Sequence, residues 1–121
     1  MSPSSPKVTG ITLHRASHAL EVTFDSDETF RLPCEYLRAH SPSAEVQGHG
    51  PGQRVLQHGK RNVNIDEISP VGHYGVLLKF DDGHNTGIFS WSVLHELGRN
   101  QAHNWQAYLD ALAAAGLARD G

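Results

Sequence analysis

The segment "FDDGHNTGIFSW", residues 80–91, holds the densest group of side chains that could do chemistry. Asp81, Asp82 and His84 lie in one predicted turn, and two carboxylates beside an imidazole can bind a metal ion or act as acid and base. Asp-Gly is also a common hairpin turn, so the aspartates need no role beyond folding. A turn does not require an imidazole, and His84 is therefore the stronger functional candidate.

A second candidate site lies in "SPSAEVQGHGPG", residues 41–52, which has neither strand nor helix periodicity. The glycines around His49 let the backbone bend close to a ligand and leave the ring accessible. A solvent-exposed loop histidine is an equally good interpretation. Glu45 could supply a carboxylate to the same site. His40 could lie nearby, although a helix end favours a protonated histidine on electrostatic grounds alone.

Three residues before this segment could fix it in place or react. Arg38 is a natural donor to loop carbonyls and could form a charge cluster with Glu35 and Glu45. Cys34 follows a proline at a predicted helix start, where a thiolate is favoured. Without a second cysteine or a paired histidine, a buried small hydrophobic residue is the better interpretation. The chain has no phosphate-binding loop, no Cys-x-x-Cys and no Gly-x-Ser-x-Gly, so the sequence shows no complete catalytic apparatus.

Alternating apolar residues predict the elements that must position these candidates. We predict antiparallel hairpins over 8–32 and 62–89 and a C-terminal helix near 102–115. A short helix over 33–40 follows the first hairpin, with Pro33 in its first turn. The strand beginning near Val63 is expected to end before Pro70 because proline cannot donate a ladder hydrogen bond.

The helix after the second hairpin carries its own boundary signals. Ser90 is the predicted N-cap, and Gly98 is the predicted residue that stops this helix. Gly116 is predicted to end the C-terminal helix.

The two halves of the chain resemble each other. "LEVTFDSDETFRLPCEYLR" and "VLLKFDDGHNTGIFSWSVLH" both give a strand, an acidic turn, a short strand and a short helix. We therefore predict an α+β fold with two β-hairpin/short-helix units forming antiparallel sheet, plus the C-terminal helix. Residues 8–117 are predicted to form the single domain, and residues 1–7 a flexible tail.

Composition limits the class of protein. The 121 residues carry a formal net charge of −3 and have no apolar run long enough to span a membrane, so neither nucleic acid nor a bilayer is an expected partner. No signal pattern begins the chain, and the single cysteine allows no internal disulfide. These features predict a cytoplasmic protein.

Two longer motifs carry a family resemblance. "LPCEYLRAHSPSAEVQGHGPGQ" together with "VGHYGVLLKFDDGHNTGIFSWSVLHELG" resembles the gamma-butyrobetaine hydroxylase-like N-terminal domain family, over about residues 11–112. The resemblance implies the stand-alone bacterial type, because the iron and 2-oxoglutarate chemistry of the hydroxylases belongs to a separate, larger domain. Some family members are fused to a Mrp-type ATPase that carries iron–sulfur clusters, which implies a link to cluster assembly.

The resemblance also implies that a metal site of the family has lost its ligands in this chain. In the hydroxylases this domain binds zinc through a Cys-x-Cys-x-x-Cys and a later histidine. Those positions correspond here to Ser41, Ser43, Val46 and His84. Serine is a poor zinc ligand and valine is none, so we predict that the thiolate zinc site is lost. Two alternatives remain for the loop: His84, His49 and Glu45 bind iron or zinc instead, or hydrogen bonds from the serines and Arg38 replace the metal.

Three functions therefore remain open. The first is a non-catalytic interaction module that binds another protein, such as a Mrp-type iron–sulfur carrier ATPase. The second is a metal-binding protein using His84, His49 and Glu45, and the third, least favoured, is an enzyme. In either of the first two cases we expect Arg38, His40, Asp81 and Asp82 to lie on the binding surface. We also expect His49 and His84 to be exposed on that surface, so that replacing both changes stability little.

Overall fold

The described residues form two similar β-sheet units and a final helix. The computed structural model describes residues 7–42, 56–84 and 87–120. The first unit consists of β1 (Val8–His14), β2 (Ala19–Phe24), β3 (Thr29–Pro33) and α1 (Cys34–Ala39). The second consists of β4 (Ile65–Val71), β5 (Gly75–Phe80), β6 (Ile88–Ser90) and α2 (Trp91–Arg99). Helix α3 (Gln101–Ala115) follows.

Both sheets are antiparallel and three-stranded, with the strand orders β1-β2-β3 and β4-β5-β6. The α+β class, both predicted hairpins and the final helix are confirmed. Each unit places its helix directly after its third strand, so the similarity between the two halves of the sequence corresponds to a repeated structure. Of the predicted tail, residues 1–6 lie outside the described residues.

Alternation along the central strands builds one shared core. Leu20, Val22 and Phe24 of β2 are 0%, 0% and 1% exposed, and Leu78 and Phe80 of β5 are buried in the same cluster. Burying a side chain of this size contributes about 1.5–3 kcal/mol. The two sheets are therefore held together mainly by the apolar faces of their central strands.

Two of the three predicted helix boundaries in the second half are confirmed. The Ser90 hydroxyl accepts a hydrogen bond of 3.1 Å from the Val93 amide at the start of α2. Gly116 has a φ of 69° and ends α3. Gly98 does not stop α2, which continues to Arg99. A Cβ at position 98 would overlap the ring of Phe30, so glycine serves here to let α2 pack closely on β3.

The two prolines expected at element boundaries behave differently from the prediction. Strand β4 continues through Pro70, which pairs with Val76, to Val71. Because β4 lies at the edge of its sheet, a residue without an N–H can face away from the partner strand. Pro33 is the last residue of β3 and the N-cap of α1, one residue before the helix begins.

None of the helices in the described segments is both long and apolar enough to cross a lipid bilayer.

Candidate functional site

The end of α1 and the turn after β5 meet at a buried hydrogen bond. The Ser41 hydroxyl lies 2.9 Å from Nε2 of His84. Ser41 is fully buried and His84 is 4% exposed. Gly87 makes this approach possible, since a Cβ there would overlap the Ser41 hydroxyl. The local sequence thus brings together two residues 43 positions apart.

The expectation of an exposed His84 ring is wrong. The ring is 4% exposed, contacts the Ser41 hydroxyl, and has its centroid 6.0 Å from that of Phe80 at the end of β5. Replacing His84 removes a buried side chain and its hydrogen bond to Ser41, which together contribute about 1–3 kcal/mol, so the replacement cannot be neutral for stability. His49 and Glu45, the other predicted metal ligands, lie outside the described residues.

Two of the four positions that hold zinc in the hydroxylases can be tested for fit. Ser41 and His84 are adjacent, as neighbouring ligand positions should be, but a neutral hydroxyl is a poor substitute for a thiolate. The described pair therefore does not fit a thiolate zinc site. Ser43 and Val46 lie outside the described residues. Within the described segments, no group of three His, Cys, Asp or Glu side chains is placed to hold a metal ion.

Asp82 is the centre of an ionic network beside this hydrogen bond. Its Oδ2 accepts hydrogen bonds from Arg38 Nε at 2.8 Å and from Lys60 Nζ at 2.6 Å. Its Oδ1 accepts the His84 amide at 3.1 Å and so shapes the turn. Burial raises the pKa of Asp82, but the hydrogen bonds from Lys60, His84 and Arg38 outweigh it and leave the pKa below its usual value.

Arg38 binds the turn through its side chain. The side chain of Arg38 is 9% exposed, and its Nε donates to Asp82. The predicted donation to loop carbonyls concerns residues outside the described segments. Nη1 of Arg38 is buried, and we find no hydrogen-bond partner for it among residues 7–42, 56–84 and 87–120. Glu35, the expected neighbour in a charge cluster, pairs instead with Arg119. Arg38 therefore joins α1 to the β5–β6 turn.

The other two residues of the predicted binding surface have local structural roles. Asp81 exchanges two hydrogen bonds with Asn64, one from its amide at 2.9 Å and one to its carboxylate at 3.0 Å. These bonds tie the turn to the start of β4, as the folding interpretation of the aspartates predicts. The His40 ring lies 4.7 Å from the ring of Tyr36, and its Nδ1 is 3.0 Å from the Tyr36 carbonyl.

A protein-family profile matches most of the chain. The sequence profile described as "Gamma-butyrobetaine hydroxylase-like, N-terminal" matches residues 11–95. The chain belongs to this family. The resemblance predicted from the two long motifs is thereby confirmed.

Solved structures of relatives share the fold of this family member. One NMR solution structure has a TM-score of 0.84 and 46% identity, covering 97% of this chain and 92% of the other. A second NMR structure has a TM-score of 0.83 and 54% identity, covering 98% and 90%. A crystal structure from Acidithiobacillus ferrooxidans, of a DUF971-family protein of unknown function, has a TM-score of 0.64 and 38% identity, covering 76% and 92%.

A curated relative carries a functional name. The Fe-S cluster assembly factor HCF101, chloroplastic, from Oryza sativa subsp. japonica is 31% identical over 78 residues. The match covers 62% of this chain but only 15% of that protein.

A second polar cluster, formed by Glu35, Tyr108 and Arg119, was not predicted from the sequence. Glu35 is 3% exposed and receives Arg119 Nε at 2.9 Å, Arg119 Nη2 at 2.7 Å and the Tyr108 hydroxyl at 3.1 Å. The Arg119 guanidinium also lies 5.1 Å from the ring centroid of Trp105. Glu35 and Arg119 are 84 positions apart, and no spacing rule relates α1 to the residues after α3. A lone acid on a short helix was the only sequence signal.

A groove borders the same region. It has a volume of about 580 Å³ and lies among the end of α1, α2 and α3. Its walls are largely apolar and include Ala39, Leu56, Leu97 and Tyr108.

Proposed function

We propose that this chain is a small non-catalytic interaction module that serves iron–sulfur cluster assembly by binding another protein. The observation that carries the proposal is the 31% identity over 78 residues to a chloroplast Fe-S cluster assembly factor. The partner that best fits this role is a Mrp-type iron–sulfur carrier ATPase. Because the match covers 15% of the assembly factor, we take from it the biological process and not the activity of the whole protein.

The geometry of the candidate site supports binding over catalysis. The hydroxyl of Ser41 and the ring of His84 bond to each other in a buried position, which keeps both from a substrate. The Asp82 carboxylate receives Arg38, Lys60 and a backbone amide. Side chains engaged in this way fix the relative positions of α1 and the β5–β6 turn, and they present no open acid, base or nucleophile.

A direct binding measurement with purified proteins tests the partner. The untagged chain would be titrated into the Mrp-type ATPase of the same organism, once without cluster and once after anaerobic cluster loading. We expect saturable binding by calorimetry and a difference in Kd between the two states. Absence of binding to either state would refute this choice of partner.

A cellular measurement tests the process itself. Deleting the gene should lower the specific activity of an iron–sulfur enzyme such as aconitase, and the gene supplied in trans should restore it. A dehydrogenase without a cluster serves as the control and should not change. Unchanged aconitase activity under iron limitation and oxidative stress would contradict a role in cluster assembly.

A second candidate function, metal binding by His84, His49 and Glu45, is favoured by one observation. The Ser41–His84 contact places the start of the segment that carries Glu45 and His49 directly against the His84 ring. The test is elemental analysis of protein purified without a histidine tag. Under this hypothesis iron or zinc is stoichiometric and is lost in His49→Ala, whereas a matched change at the exposed His103 of α3 leaves it in place. Metal-free protein would exclude the hypothesis.

The same measurement tests the predicted loss of the thiolate zinc site. Stoichiometric zinc that survives the combined changes Glu45→Ala and His49→Ala, but is lost in His84→Ala, would show that the correspondence with the hydroxylase ligands is wrong.

A further inference from the structure

The cluster around Glu35 has the composition of a binding site for a guanidinium group. The ring of Trp105 forms one wall of the site, and the Glu35 carboxylate accepts the Tyr108 hydroxyl at 3.1 Å. A planar guanidinium can pair with a carboxylate through two parallel hydrogen bonds and stack on an aromatic ring at the same time. The compact ammonium group of lysine pairs less well with a carboxylate and stacks less well on an aromatic ring. We call Glu35, Trp105 and Tyr108 the guanidinium socket.

The free protein fills the socket with its own arginine. Arg119 makes the bidentate pair with Glu35, at 2.9 and 2.7 Å, and lies over Trp105. The hydrogen bonds to Glu35 raise the pKa of Arg119, so the guanidinium stays charged. Burial raises the pKa of Tyr108, which therefore remains a hydrogen-bond donor to the carboxylate.

The segment that carries this arginine is largely exposed to solvent. We call residues 117–120 the strap. It leaves α3 at Gly116, whose φ of 69° turns the chain. Two backbone hydrogen bonds of 3.0 Å, from Gly59 to Ala118 and from Arg61 to Arg119, hold it beside residues 59–61.

Apart from these bonds and the contacts of Arg119 in the socket, the strap has an exposed ion pair. The Arg61–Asp120 ion pair has side chains that are 47% and 66% exposed, and pairs of this kind contribute little. The Arg119 side chain is itself 30% exposed, so solvent reaches one side of the socket. A polar cavity of about 270 Å³ borders Arg119 and Asp120.

We propose that the socket is a recognition site for an arginine side chain of a partner protein, occupied in the free protein by Arg119 of the strap. The partner would present its arginine on an extended segment. In that conformation its backbone carbonyls can accept the Gly59 and Arg61 amides that the strap now uses. The proposal depends on neither the loop after Ser41 nor iron–sulfur chemistry.

Peptide binding to the full-length chain tests the socket. The variant Arg119→Ala would be titrated with the capped peptide Leu-Ala-Arg-Asp and with the same peptide carrying lysine in place of arginine. We expect saturable quenching of tryptophan fluorescence and a rise in Tm with the arginine peptide. Its affinity should exceed that of the lysine peptide at least tenfold. The double variant Glu35→Gln with Arg119→Ala is the matched control and should lose the preference for arginine.

A measurement on the unaltered protein tests whether the strap can be displaced, and it does not depend on whether the variant folds. The Arg119 Nε–H signal in an ¹⁵N-correlated NMR spectrum should differ from that of a free arginine because of the Trp105 ring. Adding the arginine peptide should move this signal, in a saturable manner, to the free position. An unchanged signal at millimolar peptide, or equal effects of the arginine and lysine peptides, would overturn the proposal. Neither experiment contains an iron–sulfur protein, so the proposed function stands or falls separately.

Discussion

Changing Asp82 to asparagine should destabilise the protein, because it removes the carboxylate that pairs with Arg38. The substitution keeps the shape of the residue and removes its charge. Arg38, whose side chain is 9% exposed, would then be a buried cation without a carboxylate. The cost is therefore expected to appear as lost folding free energy.

The magnitude follows from the burial of the two partners. Breaking a buried ion pair by removing one member costs about 3–5 kcal/mol. The Asp82 side chain is 19% exposed and asparagine can still accept a hydrogen bond, so we expect the lower end, about 3 kcal/mol. Lys60 contacts the same oxygen but is 22% exposed and can turn to solvent. The matched control Lys60→Met should therefore cost at most about 1 kcal/mol.

Urea denaturation followed by circular dichroism measures the effect. With an m-value of about 2 kcal/mol/M, the midpoint should fall by about 1.5 M for Asp82→Asn and by less than about 0.5 M for Lys60→Met. Adding Arg38→Met to Asp82→Asn should recover part of the loss, because the uncompensated charge is then gone. Equal costs for Asp82→Asn and Lys60→Met, or no recovery in the double variant, would refute the assignment of Asp82 as the partner of a buried cation.

The same network sets a pH dependence whose sign can be worked out. The pKa of Asp82 is lower in the folded protein than its usual value of 3.8. As the pH falls, Asp82 is therefore protonated in the unfolded chain before it is protonated in the folded protein. The carboxylate contributes its full stabilisation above about pH 4. It is lost as the pH falls through the folded-state pKa. The stability difference between the unaltered protein and Asp82→Asn should accordingly shrink below about pH 4 in urea titrations.

Three further predictions concern Gly98, Cys34 and His84. Gly98→Ala should lower stability by about 1–3 kcal/mol in urea denaturation, because the new methyl group would overlap the ring of Phe30. This loss is expected although alanine normally favours a helix. The control Gly10→Ala has open space around it, and its stability should stay within about 0.5 kcal/mol of the unaltered protein. Burial raises the pKa of Cys34 to about 11, so its reaction with a disulfide reagent at pH 8 should be far slower in the native protein than in urea. His84→Ala should lower stability by about 1–3 kcal/mol in urea denaturation, because it removes a buried side chain and its hydrogen bond to Ser41.

The fold was predictable because its signals are local. Alternation in β2 and β5 gives one buried and one exposed face, and an acidic turn follows each of these strands. The boundary errors have a tertiary cause. Gly98 reads as a helix stop in the sequence, but its role is to admit the ring of Phe30 from another element. Pro70 reads as a strand end, and only the position of β4 at the sheet edge allows the strand to continue.

The candidate site was predictable only in part, because its partners come from distant positions. The importance of His84 could be proposed from residue type and a family resemblance, but its burial and the ion pairs of Asp82 could not. Burial depends on Ser41, Arg38 and the missing side chain of Gly87 approaching from other elements. The sequence gives no pattern for the socket at Glu35, because Arg119 follows α3 while Trp105 and Tyr108 lie on α3, far along the chain from Glu35.

The burial of His84 also decides which variant can separate structure from function at this site. Loss of metal or partner binding in His84→Ala carries no information by itself, because the same change removes a buried hydrogen bond and loosens the turn that Asp82 shapes. A change at His49 is the more selective test of the metal hypothesis. If His49→Ala abolishes metal binding while the urea midpoint stays constant, His49 acts as a ligand. If Ser41→Ala abolishes binding to the same extent, the hydrogen bond that positions His84 is the requirement, and the site is a structural support for a surface formed elsewhere.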